Sequence, residues 1–197
     1  MNSMPEKTFR KNIDIRKNYS EKFGFNMPEE FLLKIEKGLN EETVKRISKA
    51  KNEPAWMLEF RLKAFGFFKE KSLPSWGPDL SKIDFDDIYY YLKPVDEAKK
   101  TWDEVPESIK NTFEKLGVPQ AEKEFLAGVK AQYDSEVAYS SLTKELENEG
   151  IVFLSTDEGL RKYPEIFEEY FGKLVPFSDN KFAALNSAVW SGGSFVY

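Results

Sequence analysis

Asn52-Glu53-Pro54-Ala55-Trp56-Met57-Leu58-Glu59-Phe60-Arg61-Leu62-Lys63-Ala64-Phe65 decides how this chain folds. It is the most apolar stretch long enough for a full helix, and its pattern predicts one over 54–70. Pro54 falls at the first turn, where a missing N–H is tolerated. At 100° per residue Trp56, Met57, Phe60, Ala64, Phe67 and Phe68 form one wide stripe, which Leu58, Leu62 and Phe65 carry to the far side. Glu59, Lys63, Gly66 and Glu70 are left as a narrow polar strip, with Glu59 and Lys63 in the favourable i,i+4 order. A helix apolar around most of its circumference is a buried one, so other elements are expected to surround it. Arg61 sits at the edge of the stripe. It reads either as an anchor for an anion or partner or as a snorkelling or carboxylate-paired architectural arginine, and the habits of buried charge favour the second. Trp56 and Trp102 read as core.

Composition narrows the chemistry. The 197 residues are enough for one large domain or two small ones, and 41% hydrophobic and 15% aromatic content can fill a core. The formal net charge of −5 gives no basic footprint for nucleic acid. No run of 18 apolar residues suggests a membrane span, and the N-terminus has no apolar stretch of the secretory type. Cys and His are both absent. That removes disulfides, thiolate nucleophiles, Cys/His zinc sites, the Ser-His-Asp triad and the usual ligands of an iron–sulfur cluster. Carboxylates remain. Asp84, Asp86 and Asp87 lie within Ile83–Tyr91, but no glycine turn accompanies them, and a half-buried extended segment with solvated Asp is expected there. No segment places two carboxylates in an apolar setting of the kind a glycosidase needs, so no enzyme is expected.

The other elements follow from local pattern. Residues 1–25 read either as a loosely held N-terminal arm with a short helix near 13–22 or as a frayed terminus, and 26–197 as the folded part. Pro28–Lys37 reads as a short helix ended by Gly38. Asn40 caps a second helix, with Glu41 and Glu42 in its first turn and Val44 and Ile47 inward. Leu73–Pro78 is turn-rich. A helix led by Trp102–Pro106 runs to about Leu116, and Pro119 opens another with Phe125 and Leu126 inward. Val129 to Tyr139 alternates with period two, as one strand or as two bent at Asp134–Ser135. Leu142 and Leu146 mark a helix ending at Gly150, and Ile151–Leu154 a buried strand. Ser155 and Glu158 form a capping box, and Pro164–Phe171 is a further helix. Asp179 caps a helix through Ala188, and Val189-Trp190 with Phe195–Tyr197 flank a Ser-Gly-Gly-Ser turn as a hairpin. The class expected is α+β: short helices around one buried helix, a few strands and a C-terminal hairpin. That last strand leaves an unpaired edge, as in a chain cut before its partner strands. Trp190 and Tyr197 are expected to be exposed there, with self-association as the consequence.

Several runs carry a resemblance. Lys51–Ala64, Ile83–Tyr91, Leu116-Gly117-Val118-Pro119, Gly150–Phe153, Tyr163-Pro164-Glu165 and above all Asp179–Tyr197 resemble, in that order, the N-terminal portion of the SufB family, the scaffold subunit of the Suf iron–sulfur cluster assembly system. The resemblance runs from about Gly38 to Tyr197. It implies an N-terminal scaffold domain that in longer members leads into a right-handed parallel β-helix, where the family's cluster-associated residues lie. It implies that SufC, an ATPase, and SufD are partners of the full-length protein, with the SufC-docking surface downstream of this chain, a cytoplasmic setting, and an iron–sulfur cluster held only by downstream residues. No catalytic, cofactor-binding or metal-ligating residue is therefore assigned in this chain. Leu154 stands where several relatives have Cys, and Glu104-Val105-Pro106-Glu107 replaces the family's Glu-Val-Asp-Pro wording. The alternative to a structural scaffold portion is a stand-alone interaction module that binds Suf partners.

Overall fold

The computed structural model describes residues 31–94, 101–117, 128–133, 135–142 and 144–197. The expected N-terminal arm and the helix opened by Pro119 lie outside the described residues. The elements are β1 (Leu33–Lys34), α1 (Glu41–Ala50), α2 (Ala55–Glu70), β2 (Leu92–Lys93), α3 (Glu107–Lys115), β3 (Gly128–Tyr133), β4 (Glu136–Leu142), α4 (Lys144–Asn148), β5 (Phe153–Ser155), α5 (Thr156–Lys162), α6 (Pro164–Tyr170), α7 (Lys181–Val189) and β6 (Ser194–Val196). Single 3₁₀ turns occupy Phe85–Asp87 and Trp102–Glu104. The strands pair antiparallel as β1–β2, β3–β4 and β5–β6, so the class is α+β.

Helix α2 is the centre. Along it only Ala55, Glu59, Lys63, Lys69 and Glu70 are exposed, close to the polar strip that the periodicity predicts. Its Ala64, Phe65 and Phe68 meet Val44 of α1 and Ala184 and Ala188 of α7 in one cluster. Ala184 and Ala188 are one helical turn apart, and their small side chains let α7 lie close along α2. A second cluster joins Ile35, Ile47, Tyr90 and Tyr91, and a third joins Met57, Leu160, Phe167 and Trp190. Helix α1 forms where its caps say it should. The Asn40 carboxamide oxygen accepts the Thr43 N–H at 2.9 Å, and Val44 and Ile47 are fully buried. The capping box at α5 is also present, with Ser155 accepting from Glu158 N–H and the Glu158 carboxylate accepting from Ser155 N–H.

Six local expectations give way in the structure. The segment read as a helix over 28–37 holds β1 instead: Leu33 and Lys34 pair with Lys93 and Leu92, and Ile35 N–H donates to Tyr91 carbonyl oxygen at 3.2 Å. A short apolar run has no fixed period, and the strand partner decides it. Pro54 is the N-cap of α2, with extended ψ, and the helix begins at Ala55. Leu142 belongs to β4, and α4 starts after it. Asn180, not Asp179, caps α7, accepting from Phe182 and Ala183 N–H. The C-terminal hairpin does not form. Val189 ends α7, Trp190 is its C-cap, and β6 crosses back to β5, pairing Phe153 with Val196, Leu154 with Phe195 and Ser155 with Ser194. The period-two region is two strands, with a register shift at Ala131/Gln132. Phe153–Ser155 is half-buried, not fully buried.

Two glycines test this packing in opposite directions. A Cβ on Gly159 of α5 would lie 2.5 Å from the Phe195 ring of β6. Gly159→Ala is expected to cost about 1–3 kcal/mol by overpacking. A Cβ on Gly66 of α2 would meet nothing within 4 Å, and Gly66→Ala is expected to gain about 0.5–1 kcal/mol by helix propensity. Urea denaturation of both variants checks the pair.

Candidate functional site

The strongest concentration of buried polar chemistry lies where the α1–α2 turn meets the end of α7. Asn52 has φ of +51°, a left-handed conformation that Asn tolerates. The reversal it makes leaves Lys51 and Glu53, on either side, both turned inward. Arg61 follows two turns into α2 and is wholly buried, as is its partner: side-chain exposure is 0% for Arg61 and 1% for Glu53. The pair is bidentate, Nε to Glu53 Oε2 at 2.7 Å and Nη2 to Oε1 at 2.6 Å. The remaining donors reach the end of α7. Nη1 donates to Ala188 carbonyl oxygen at 3.1 Å and Nη2 to Trp190 carbonyl oxygen at 2.8 Å. The guanidinium carbon also lies 4.6 Å from the centre of the Trp190 ring.

Arg61 thus does three things at once. It neutralises a buried carboxylate, caps carbonyls that the last turn of α7 leaves without helical partners, and seats the Trp190 ring. Lys51 extends the arrangement. Its Nζ donates to Asp157 Oδ2 at 2.8 Å and to the Ser191 carbonyl oxygen. Thr156 N–H donates to Gly193 carbonyl oxygen at 3.2 Å. The backbone from 188 to 193 is therefore held from α2, from the α1–α2 turn and from α5. At the other end of the same helix pair, Lys181 donates to Phe68 and Lys71 carbonyl oxygens at 2.6 and 2.8 Å, capping α2 from α7.

Of the residues singled out in the sequence, Arg61 is the carboxylate-paired architectural arginine. Trp56 is partly buried beside the Met57 cluster, and Trp102 is buried edge-on to Phe113 at 5.7 Å. Trp190 is corrected: it is buried rather than exposed, packed on Phe167 and Phe171. Tyr197 is 69% exposed. The structure does not bring Asp84, Asp86 and Asp87 to a common ligand. Asp84 Oδ1 accepts Asp86 N–H, Asp87 pairs with Lys37 at 2.5 Å, and all three are exposed. Among the described residues no group of three or more His, Cys, Asp or Glu is placed to hold a metal ion. No helix of the described residues is long and apolar enough to cross a membrane. The roles of Lys51, Asp157 and Lys181 were not legible in the sequence, because each binds across more than 100 positions.

The arrangement offers donors and fixed positions, not an acid–base pair in a cleft. Among the described residues the one large displacement of proton affinity is at Tyr90. Burial, with the Asp86 and Asp84 charges adding to it, pushes its phenol up to about 12, and its hydroxyl donates to Phe85 carbonyl oxygen at 2.8 Å.

Similarity to known proteins is consistent with this picture. The model of the SufBD protein N-terminal region matches residues 38–197. An iron–sulfur cluster assembly SufBD family protein of Staphylococcus epidermidis is 57% identical over 176 residues, 89% of this chain and 38% of that protein. Counterparts in Staphylococcus haemolyticus and Staphylococcus aureus are 57% and 56% identical over the same shares. The chain therefore spans about two-fifths of the length of these relatives, and it belongs to the SufBD family of iron–sulfur cluster assembly proteins.

Two measurements probe the site. Arg61→Met is expected to cost about 3–5 kcal/mol, because it strands the buried Glu53 carboxylate. Glu53→Met with Arg61→Met should recover only part of that loss, because the Ala188 and Trp190 carbonyl oxygens stay without their donor, and a urea double-mutant cycle reads the coupling. For Tyr90, the raised folded-state value means its contribution is full below pH 10 and is lost as pH rises through about 12. Tyr90→Phe should therefore flatten the alkaline fall in stability, measured by fluorescence-detected denaturation between pH 9 and pH 12.

Proposed function

We propose that this chain serves as the N-terminal region of a SufB-type scaffold in iron–sulfur cluster assembly, with a structural role and no chemistry of its own. The observation that carries the reading is the buried lock on residues 188–193. Arg61, Lys51 and Thr156 fix the backbone that leads from α7 into β6. A region whose most deeply buried polar groups are spent on aiming a strand is suited to presenting what that strand adjoins. The absence of both Cys and His from the sequence supports the same division of labour, since cluster irons are held by thiolate and sometimes imidazole. The SufB-type choice within the family rests on the wording of Lys51–Ala64 and Asp179–Tyr197. The cluster is cargo of the longer assembly, and SufC and SufD are the partners this reading assigns to it, in the cytoplasm.

The test is an exchange. The matching 176 residues of the Staphylococcus epidermidis relative are replaced by those of this chain, and cluster assembly is scored in cells lacking the native gene. Restoration is expected, and Glu53→Ala in the exchanged segment should abolish it. In parallel, this chain is incubated anaerobically with ferrous iron and sulfide. No stoichiometric cluster absorption is expected, and a stoichiometric, protein-bound cluster would overturn the structural reading.

A further inference from the structure

The backbone that leaves α2 runs over the surface before it returns to pair as β2. From 69 to 89 no residue is buried, and 75–79 are five exposed residues in a row. Trp76 is 76% exposed. Among the described residues, the main-chain hydrogen bonds of 72–82 are all local. Ile83 N–H donates to Leu80 carbonyl oxygen at 3.1 Å, and Ser81 N–H donates to Asp79 Oδ1 at 2.9 Å. Gly77 turns with φ of +98°, and an added Cβ there would meet nothing within 4 Å, so the bend stands clear of the fold. A segment with so few main-chain bonds opens at little cost, and exposed loop tips of this kind are where endoproteases cut.

The halves on either side of this connection are held by each other. Each of the three core clusters draws members from both: Phe65 shares one with Ala184, Ile47 another with Tyr91, and Met57 the third with Trp190. The buried polar contacts cross in the same way. Arg61 holds the Ala188 and Trp190 carbonyl oxygens, and Lys51 holds Asp157. Strand β1 pairs with β2 across the gap. Both ends of the connection are anchored too. Lys181 holds the Lys71 carbonyl oxygen at 2.8 Å, and the Phe85 ring lies 5.2 Å from that of Phe68.

We propose that the 72–82 connection is a processing site, at which an endoprotease converts the chain into two pieces that stay assembled as one folded molecule. Trp76 suits an enzyme that prefers an aromatic side chain before the bond it cuts, and Lys82 suits one that prefers a base. Cleavage at the first adds water across the Trp76–Gly77 peptide bond. The carbonyl carbon gains the water oxygen and becomes a carboxylate, and the amide nitrogen takes both protons and becomes an ammonium. Both new charges fall within the exposed 75–79 run and stay in water. What the cut removes is the tether. The two pieces then associate as separate molecules, and their stability acquires a dependence on concentration that the intact chain lacks.

The test is limited digestion of the intact chain with chymotrypsin and, separately, with trypsin. Mass spectrometry, gel filtration with and without urea, and thermal unfolding are the readouts. Within 31–94 the first cuts are expected after Trp76 and after Lys82, with Lys71, whose carbonyl oxygen is held, cut later. The pieces should elute together at the volume of the uncut protein and part only in urea. The melting temperature of the cut protein should fall on dilution, and that of the uncut chain should not. Trp76→Ser should slow the chymotryptic cut at least tenfold and leave the tryptic one unchanged. First cuts within α1 or α2, or after Lys71, overturn the site. Pieces that separate or precipitate once 72–82 is cut overturn the two-piece assembly. A melting temperature of the cut protein that is indifferent to dilution overturns it as well, because one piece then folds without the other.

Discussion

The structure depends on one buried ion pair that is not left as a pair. Removing Arg61 and Glu53 from water costs several kcal/mol for each ion, and their attraction alone need not offset it. Here the guanidinium spends its other donors on the Ala188 and Trp190 carbonyl oxygens and lays its face on the Trp190 ring. Those carbonyls would otherwise be orphans at a buried helix end, which is itself expensive. Two liabilities, a buried charge and an unfinished helix, thus cancel at one side chain.

The same economy operates at the opposite end of the helix pair. Lys181 sits at the first position of α7, where the helix dipole disfavours a cation. It reaches the Phe68 and Lys71 carbonyl oxygens, where the dipole of α2 favours one. Since α2 and α7 run antiparallel, the cationic cap of each is supplied from the other. Apolar contact between Ala64, Phe65, Ala184 and Ala188 is non-directional and could slide. The two caps set the register along the helix axes.

What the sequence discloses here follows the range of the interaction. The buried helix is written in 16 consecutive residues, and the caps at Asn40 and Ser155 lie within three positions of what they bind. These were legible. So was the architectural nature of Arg61, since a lone cation in an apolar stripe demands a partner. Its acceptors were not, because backbone carbonyls at 188 and 190 carry no residue signature. Strands of two or three residues fared worst. Leu33–Lys34 and Ser194–Val196 are too short to show a period, and each is a strand only because a distant segment offers its edge. Trp190 was misplaced for the same reason: read as one arm of a hairpin it would be bare, but as the cap of α7 it is drawn under the Arg61 guanidinium.

The lock spans 127 to 140 positions between its two sides. On the ribosome, Glu53 and Arg61 are made long before Ala188, Trp190 and Ser191 leave the exit tunnel. Through all of that synthesis α1 and α2 have neither the carbonyls that complete their buried charges nor the α7 face that covers Phe65 and Phe68. Contacts of such separation close late and pay the full loop entropy first. The nascent chain therefore carries its most apolar helix uncovered until translation of this region is nearly finished. It is in that interval, not in the folded state, that chaperone holding has the most to offer this protein.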